Sequence, residues 1–256
     1  MVAKLFKNKG VDYIFDHHDI CPELYEAKFG KTSGMFYKSQ LWLERQTYKH
    51  CKFAFVTNES YKKIAIERGG MKPEDVFVLR SGPKLERLKI QAPKNEIKRG
   101  KKFMVGYLGV IGQQEGIEYL LKAAKYIKEL PGRNDVFWGI VGGGPDVEHM
   151  KKLSHDMGLD DIVEFTGRVP DQTLLDYLNT ADVCVNSDEY NAMNDKSTMN
   201  KVLEYMALGK PLVQFDLTEG RYSAQEASLY AKRNDAEDMA KKILELLDNP
   251  EKRKQM

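Results

Sequence analysis

Asn194-Asp195-Lys196-Ser197-Thr198-Met199-Asn200-Lys201-Val202-Leu203-Glu204-Tyr205-Met206-Ala207-Leu208-Gly209-Lys210-Pro211 stands between two apolar runs, Ala181 to Val185 and Leu212 to Phe215. Both runs are short and apolar enough to be buried strands. Met199, Val202, Leu203 and Met206 recur at i, i+3, i+4 and i+7, so the spacing predicts a helix over 198–208 with one apolar face. Ser197, Asn200, Lys201 and Glu204 fall on a different, polar face of the same turns. Gly209 closes the helix as a left-handed cap, with Pro211 just beyond it. A polar loop and a helix N-terminus after a buried parallel strand make a natural place to hold an anion. Lys196 and Lys201 beside that N-terminus fit the helix dipole poorly unless an anion sits there. Glu204, one to two turns in, is placed to take the hydroxyls of a ribose or a hexose. The combination points to a nucleotide-sugar.

The same alternation runs outward along the chain and signals parallel α/β sheets. Met1 to Asn8 reads as a helix end closed by Gly10, and Tyr13 to Phe15 as a strand leading into Asp16-His17-His18-Asp19. A helix at 36–50, a strand at 53–56, a helix at 60–68 and a strand at 76–79 follow. Residues 84–102 are Lys-rich and poor in apolar side chains, which reads as an interdomain linker. Strands at 103–108, 136–141, 162–165, 183–185 and 212–215 then alternate with helices at 117–130, 147–157, 173–179, 198–208 and 236–247. The expected division is a partial α/β domain at 1–83, the linker at 84–102, and a Rossmann-like α/β domain at 103–256. One parallel sheet is expected from Phe103 onward, and a separate, smaller sheet before the linker.

Lysine and arginine total 40 against 38 acidic residues, so the net charge of +2 makes no case for a nucleic-acid partner. Cys21, Cys51 and Cys184 are widely spaced, without a Cys-x-x-Cys pair, which suits a reducing compartment with Cys184 as a buried strand residue. No apolar run approaches the roughly 18 residues of a membrane span, and no signal peptide is visible. The expected location is cytoplasmic, with peripheral contact at the inner face of the membrane left open.

These words in this order resemble the nucleotide-binding half of the group 1 (family 4) retaining glycosyltransferases, which have the GT-B fold of two facing Rossmann-like domains. In that family a strand Ala-Asp-Val-x-Val precedes a helix Leu-Glu-Ala-Met-Ala-x-Gly-x-Pro. Here they read Ala181-Asp182-Val183-Cys184-Val185 and Leu203-Glu204-Tyr205-Met206-Ala207-Leu208-Gly209-Lys210-Pro211. Gly142-Gly143-Gly144-Pro145 and Gly167 within Glu164 to Val169 look like further family signatures. By resemblance, the first βα units of the acceptor-side domain are absent. The end at Asn249 to Arg253 likewise stops where family members continue into a long helix. A natural short form is the alternative.

The resemblance implies a donor site built from Gly109, Gly112, Gln113, Gly143, Arg168, Val169, Lys196, Ser197, Thr198, Lys201 and Glu204. Gly109 and Gly112 either bring backbone N–H groups to a pyrophosphate or only permit a tight turn. The family carries an arginine after the first glycine of this loop and a lysine before its last; here those positions hold Val110 and Glu115. It also places a glutamate eight residues before the position of Glu204, where this chain has Lys196. Together the departures suggest that Lys196 and Lys201 supply the cations lost from the first loop. Arg168 and Val169 match the segment with which family members cup the base. His18 matches the family's His-Asp segment, with an expected role at the transferred sugar; adjacent His17 should point the other way. Catalytic roles are therefore expected for His18 and Glu204.

Gly30-Lys31-Thr32-Ser33 ends like a phosphate-binding loop but has Tyr25 where the first glycine belongs. His149 and His155 lie six apart, the wrong spacing for a shared metal, and no Asp-x-Asp ends a strand, so no metal and no cofactor are expected. The implied reaction moves a sugar from a nucleoside-diphosphate sugar to a glycan or lipid-linked acceptor, with retention. A noncatalytic nucleotide-sugar-binding fragment and a GT-B-fold sugar-nucleotide epimerase are the alternatives.

Overall fold

The computed structural model describes residues 9–256, so the helix end read at Met1 to Asn8 lies outside the described residues. The chain divides into two compact units: the first runs to Ser81 and includes Asn191–Thr198, and the second is Gly82–Tyr190 with Met199–Met256.

The first unit holds a three-stranded parallel sheet in the order β1 (Ile14–His17), β2 (Phe53–Val56), β3 (Val76–Val78). α1 (Cys21–Phe29) and α2 (Met35–His50) lie between β1 and β2, and α3 (Glu59–Glu67) follows β2. Successive strand residues point to opposite faces, so Ala54, Val56 and Val76 turn inward and pack with Ile20, Tyr48, Tyr61, Ile64 and Ala65. Asn58 starts α3 by accepting the Tyr61 N–H at 2.8 Å.

The second unit is a six-stranded sheet, parallel throughout: β4 (Phe103–Leu108), β5 (Val136–Val141), β6 (Val163–Gly167), β7 (Val183–Asn186), β8 (Leu212–Phe215) and β9 (Ser228–Ala231). Its spatial order is β6-β5-β4-β7-β8-β9, the doubly wound order of a Rossmann-like domain. All six residues of β5 are buried, as a strand covered on both faces requires. Its alternate side chains serve two cores. Trp138 and Ile140 pack with α4 (Ile117–Glu129), α5 (Val147–Asp156) and α9 (Ala236–Asp248), while Phe137 packs with α6 (Asp171–Thr180), α7 (Asn200–Ala207) and α8 (Thr218–Ala224). The fold is α/β, as the alternation predicts, and of the GT-B type that the resemblance implies.

α1, α8, β9 and α10 (Pro250–Gln255) are absent from the sequence reading. The Lys-rich stretch 84–102 belongs to the second unit and lies along α6. Asn179 accepts the Gln91 N–H at 2.9 Å and donates to Lys89 O at 3.1 Å, while Leu88 is buried in the core beneath. Cys184 is buried in β7, where burial pushes its thiol up to about 12.

α7 begins at Asn200 rather than near Thr198, and its buried face differs from the predicted one. Val202, Tyr205 and Leu208 are buried, whereas Met206 is 36% exposed. Tyr205 turns inward because its hydroxyl has partners there: it accepts the Leu108 N–H at 2.8 Å and lies 3.3 Å from Val185 O. One phenol thus ties the ends of β4 and β7 together. Gly209 is left-handed at φ 63, as its capping role requires.

Candidate functional site

In the second unit the chain leaves β4 toward β5 on one side and leaves β7 toward β8 on the other. The strand order therefore reverses between β4 and β7, and a crevice is expected beyond their carboxyl ends. Three loops meet there, and glycines let them meet. A Cβ on Gly142 would lie 1.8 Å from Gly109 O, and one on Gly116 would lie 2.0 Å from Ser187 O. The Gly109 N–H donates to Val141 O at 3.1 Å, and Ile111 N–H to Gly143 O at 3.2 Å. Ser187 Oγ donates to Glu115 O at 2.9 Å. Gly109 is thus held by the end of β5, and its amide is already used.

Lys201, in the first turn of α7, reaches into this loop cluster. Its Cε would stand 3.4 Å from a Cβ on Gly109. The ammonium lies 2.7 Å from Asp188 Oδ1 and 3.3 Å from the Tyr107 hydroxyl. Only 12% of the lysine side chain and 1% of the aspartate side chain are exposed. Lys201 is therefore neither a solvated helix lysine nor an uncommitted cation. Burial by itself would lower the Lys201 ammonium, but Asp188 beside it holds the ammonium above the ordinary lysine value. Burial also leaves the Asp188 carboxyl above its ordinary value, against the pull of Lys201. We take the pair as ionised, because the 2.7 Å contact is a charge-assisted bond and the Tyr107 hydroxyl also faces the ammonium.

Of the other second-unit candidates, Arg168 borders these loops, whereas Glu204 lines a different cleft. Arg168 is exposed and passes over Gly143, with Cγ 3.1 Å from where a Cβ would stand. Gly112 and Gln113 open the short turn Gln113–Glu115, with Gln113 exposed, and Val169 is half-buried after β6. Glu204 is half-buried in a cleft of about 330 Å³ with Gly82, Arg87, Asp171 and Asn200. Burial raises its carboxyl, and Arg87 opposes that shift.

Lys196, Ser197 and Thr198 belong to the first unit, where each already has partners. Asn58 Nδ2 donates to Lys196 O at 2.8 Å and to Thr198 Oγ1 at 3.1 Å. Ser197 Oγ donates to Met193 O at 2.8 Å and lies 3.2 Å from the Tyr61 hydroxyl. The Lys196 ammonium donates to Ala192 O at 2.9 Å and stands 3.9 Å from Glu23.

His17 and His18 do point differently. His18 is exposed and pairs with Asp16 at 3.0 Å, while His17 is 3% exposed. The Tyr48 hydroxyl meets His17 Nδ1 at 2.5 Å, and Nε2 faces Asp19 O at 3.0 Å. His17, rather than His18, lines an apolar cavity of about 500 Å³ with Phe15, Leu24, Tyr25, Phe36 and Leu43. Burial lowers His17 from 6.5 to about 4, so it is neutral when folded. A histidine with a depressed folded pKa contributes stability above its unfolded pKa that is lost as pH falls. The first unit should therefore lose about 3 kcal/mol from this group between pH 6.5 and about 4. Urea unfolding of wild type and His17→Gln across that window checks it. A variant with an unchanged pH slope would refute the assignment.

Asp188 and Tyr107 are absent from the sequence reading. The signal for Asp188 is its place just past the carboxyl end of β7, which carries weight only once the strand order is known. Among the described residues, no three His, Cys, Asp or Glu side chains are grouped to hold a metal ion, and no helix is long and apolar enough to cross a membrane.

Comparison with known proteins gives this geometry a family. An uncharacterized glycosyltransferase of Haemophilus influenzae is 28% identical over 163 residues, covering 62% of this chain and 43% of that protein. Among solved structures, sucrose-phosphate synthase from Thermosynechococcus elongatus matches with a TM-score of 0.78 at 18% identity, over 98% of this chain and 63% of that one. The Anabaena HepE protein, in complex with UDP and glucose, matches with a TM-score of 0.78 at 16% identity, over 99% and 66%. At these identities the two structures show a shared fold. The chain spans less than half the length of its Haemophilus relative. The family model for glycosyl transferases group 1 matches residues 89–256, about two thirds of the chain and nearly all of the second unit. The chain belongs to the group 1 glycosyl transferases.

Proposed function

We propose that the second unit binds a nucleoside-diphosphate sugar and that the protein transfers its sugar, with retention, to a glycan or lipid-linked acceptor taken by the first unit. The observation that carries this reading is the cluster at the strand-order reversal. A glycine loop and one ordered lysine meet at the crevice where doubly wound sheets hold nucleotides. The HepE complexes with UDP and with UDP-glucose support a uridine donor as the first to test.

Lys201 supplies positive charge at the diphosphate, and the loop backbone frames it. Glu204 takes hydroxyls of the ribose or the sugar, while Arg168 and Val169 border the base. From the sequence, Lys196 and His18 remain the candidates for a further cation and for contact with the transferred sugar. The departing diphosphate is then stabilised by groups already in place, which lowers the barrier without reorganisation. No protein nucleophile takes part; the acceptor attacks on the face from which the diphosphate leaves.

Thermal melts with UDP-, GDP- and ADP-sugars should show one class raising the melting temperature, because a ligand that binds only the folded state stabilises it. Glu204→Gln should then weaken that ligand about tenfold, near 1.4 kcal/mol. Lys196→Ala should cost roughly 1–3 kcal/mol if its bond to phosphate is charge-assisted. Transfer is measured separately from binding, since holding donor and acceptor together is worth several kcal/mol of barrier. Stabilisation by none of the three classes would defeat the reading.

A further inference from the structure

Asp188 belongs to no family motif in this chain and to no helix pattern, yet it is the carboxylate in contact with Lys201. We propose that Asp188 is a positioning residue that keeps Lys201 cationic and directs it to the diphosphate of the donor. The inference rests on the reading of Lys201 as a donor-binding residue.

Four observations carry it. Asp188 lies just past the end of β7 at the strand-order reversal, with Oδ1 on the Lys201 ammonium at 2.7 Å. The Tyr107 hydroxyl donates its single proton to Val110 O at 3.0 Å, so toward Lys201, at 3.3 Å, it can only accept. Asp188 and Tyr107 thus take two of the three ammonium protons, and the third has no partner among the described residues. Lys201 Cε also lies over Gly109, 3.4 Å from where a Cβ would stand, and the Gly109 N–H is bonded to the end of β5.

The chemistry follows from burial. An amine with this little exposure loses its proton near neutral pH unless an anion opposes that loss. The ionisable groups facing Lys201 are Asp188 after β7, Tyr107 on β4 and Glu115 in the loop after β4. Tyr107 is itself a neutral phenol, because burial raises it further from ionisation. Asp188 is the group in ion-pair contact. The first loop carries Val110 and Glu115 where family members carry basic residues, so the diphosphate depends on Lys201 remaining charged.

The test is calorimetric titration between about pH 7 and 9.5, a window that spans the shift expected for an unpaired buried lysine. UDP, GDP and ADP are each titrated into wild type, and the one that binds is carried through. Wild type should bind with nearly constant affinity. Asp188→Asn should bind progressively more weakly as pH rises, by about tenfold per unit once the amine is deprotonated. Adding Lys201→Arg to Asp188→Asn should flatten the profile again, because a guanidinium keeps its charge. A flat profile for Asp188→Asn, at wild-type strength or at reduced strength without rescue by arginine, would overturn the proposal. Should that variant not fold, Asp188→Glu keeps the charge but moves the ammonium by one methylene. Binding should then weaken several-fold with no pH slope, and unchanged binding would overturn the proposal equally. Lys201→Ala with undiminished affinity, or no binding of any of the three nucleotides to wild type, would defeat the donor reading itself. Those results are distinct from a failure of Asp188 alone.

Discussion

Lys201→Ala is expected to cost the second unit about 3–5 kcal/mol at neutral pH, because removing one partner of a buried ion pair strands the other. The stranded group is Asp188, 1% exposed, whose second oxygen already lacks a hydrogen-bond partner. Without the ammonium, the desolvation that raises this carboxyl loses its main opposing group, and only Asn186 still favours the charged form. The sign of the pH effect follows. A carboxyl with a raised folded pKa binds a proton more tightly folded than unfolded, so its contribution is intact below the unfolded pKa and is lost as pH rises through the folded one. The deficit of Lys201→Ala should therefore be large at pH 7 and shrink toward about pH 4, near the unfolded carboxyl value. Lys201→Met combined with Asp188→Leu should recover most of the stability, since an apolar pair of similar volume is often as stable as the ions it replaces. Urea unfolding of the two single variants and the double variant measures the coupling. A Lys201→Ala deficit below about 1 kcal/mol, the range of exposed ion pairs, would mean that Asp188 is solvated or neutral in the folded protein.

Arg68→Met should have an effect of similar size in the first unit. Arg68 binds two buried carboxylates at once. Its Nη1 and Nη2 meet Glu23 at 2.7 and 3.0 Å, while Nε and Nη2 meet Glu44 at 2.6 and 2.8 Å. The carboxylates are 7% and 6% exposed. Burial alone would lower the guanidinium, but the two glutamates raise it, so it stays charged at any pH the protein survives. Burial pushes the Glu44 carboxyl up, with Arg68 as the main opposing group. Removing the guanidinium leaves two like charges in a dry site, and the cost is again about 3–5 kcal/mol at pH 7. The sign matches the first case: the raised Glu44 carboxyl makes the loss smaller as pH falls. α1, α2 and α3 each contribute one of these side chains or end beside one, so the loss should be confined to the first unit. Hydrogen exchange should accelerate in Cys21–Glu67 and remain unchanged in β4 to β9. Equal acceleration in both units would show that they do not unfold separately.

Much of the fold is legible in local pattern. The strands at 53–56, 103–108, 136–141 and 212–215 have the bounds that the apolar runs predict. Runs of this kind need no knowledge of distant residues, because a strand buried on both faces must be apolar throughout. The glycine stop at Gly209 is equally local, since only the backbone of the last turn decides it. The short elements are different. β9 has four residues and α8 seven, too few for a period to stand out from the surrounding polar sequence.

What the sequence determined by itself is the alternation of strand and helix, the family words and the candidacy of Lys201 and Glu204. Only the tertiary structure decided what those side chains meet. Lys201 finds Asp188 13 residues away and Tyr107 94 residues away, and Tyr205 turns inward to reach Leu108, 97 residues distant. No local period carries that information. Periodicity is set by the backbone within a few turns. The partners of a buried charge are set by strand order, which here brings β4 beside β7.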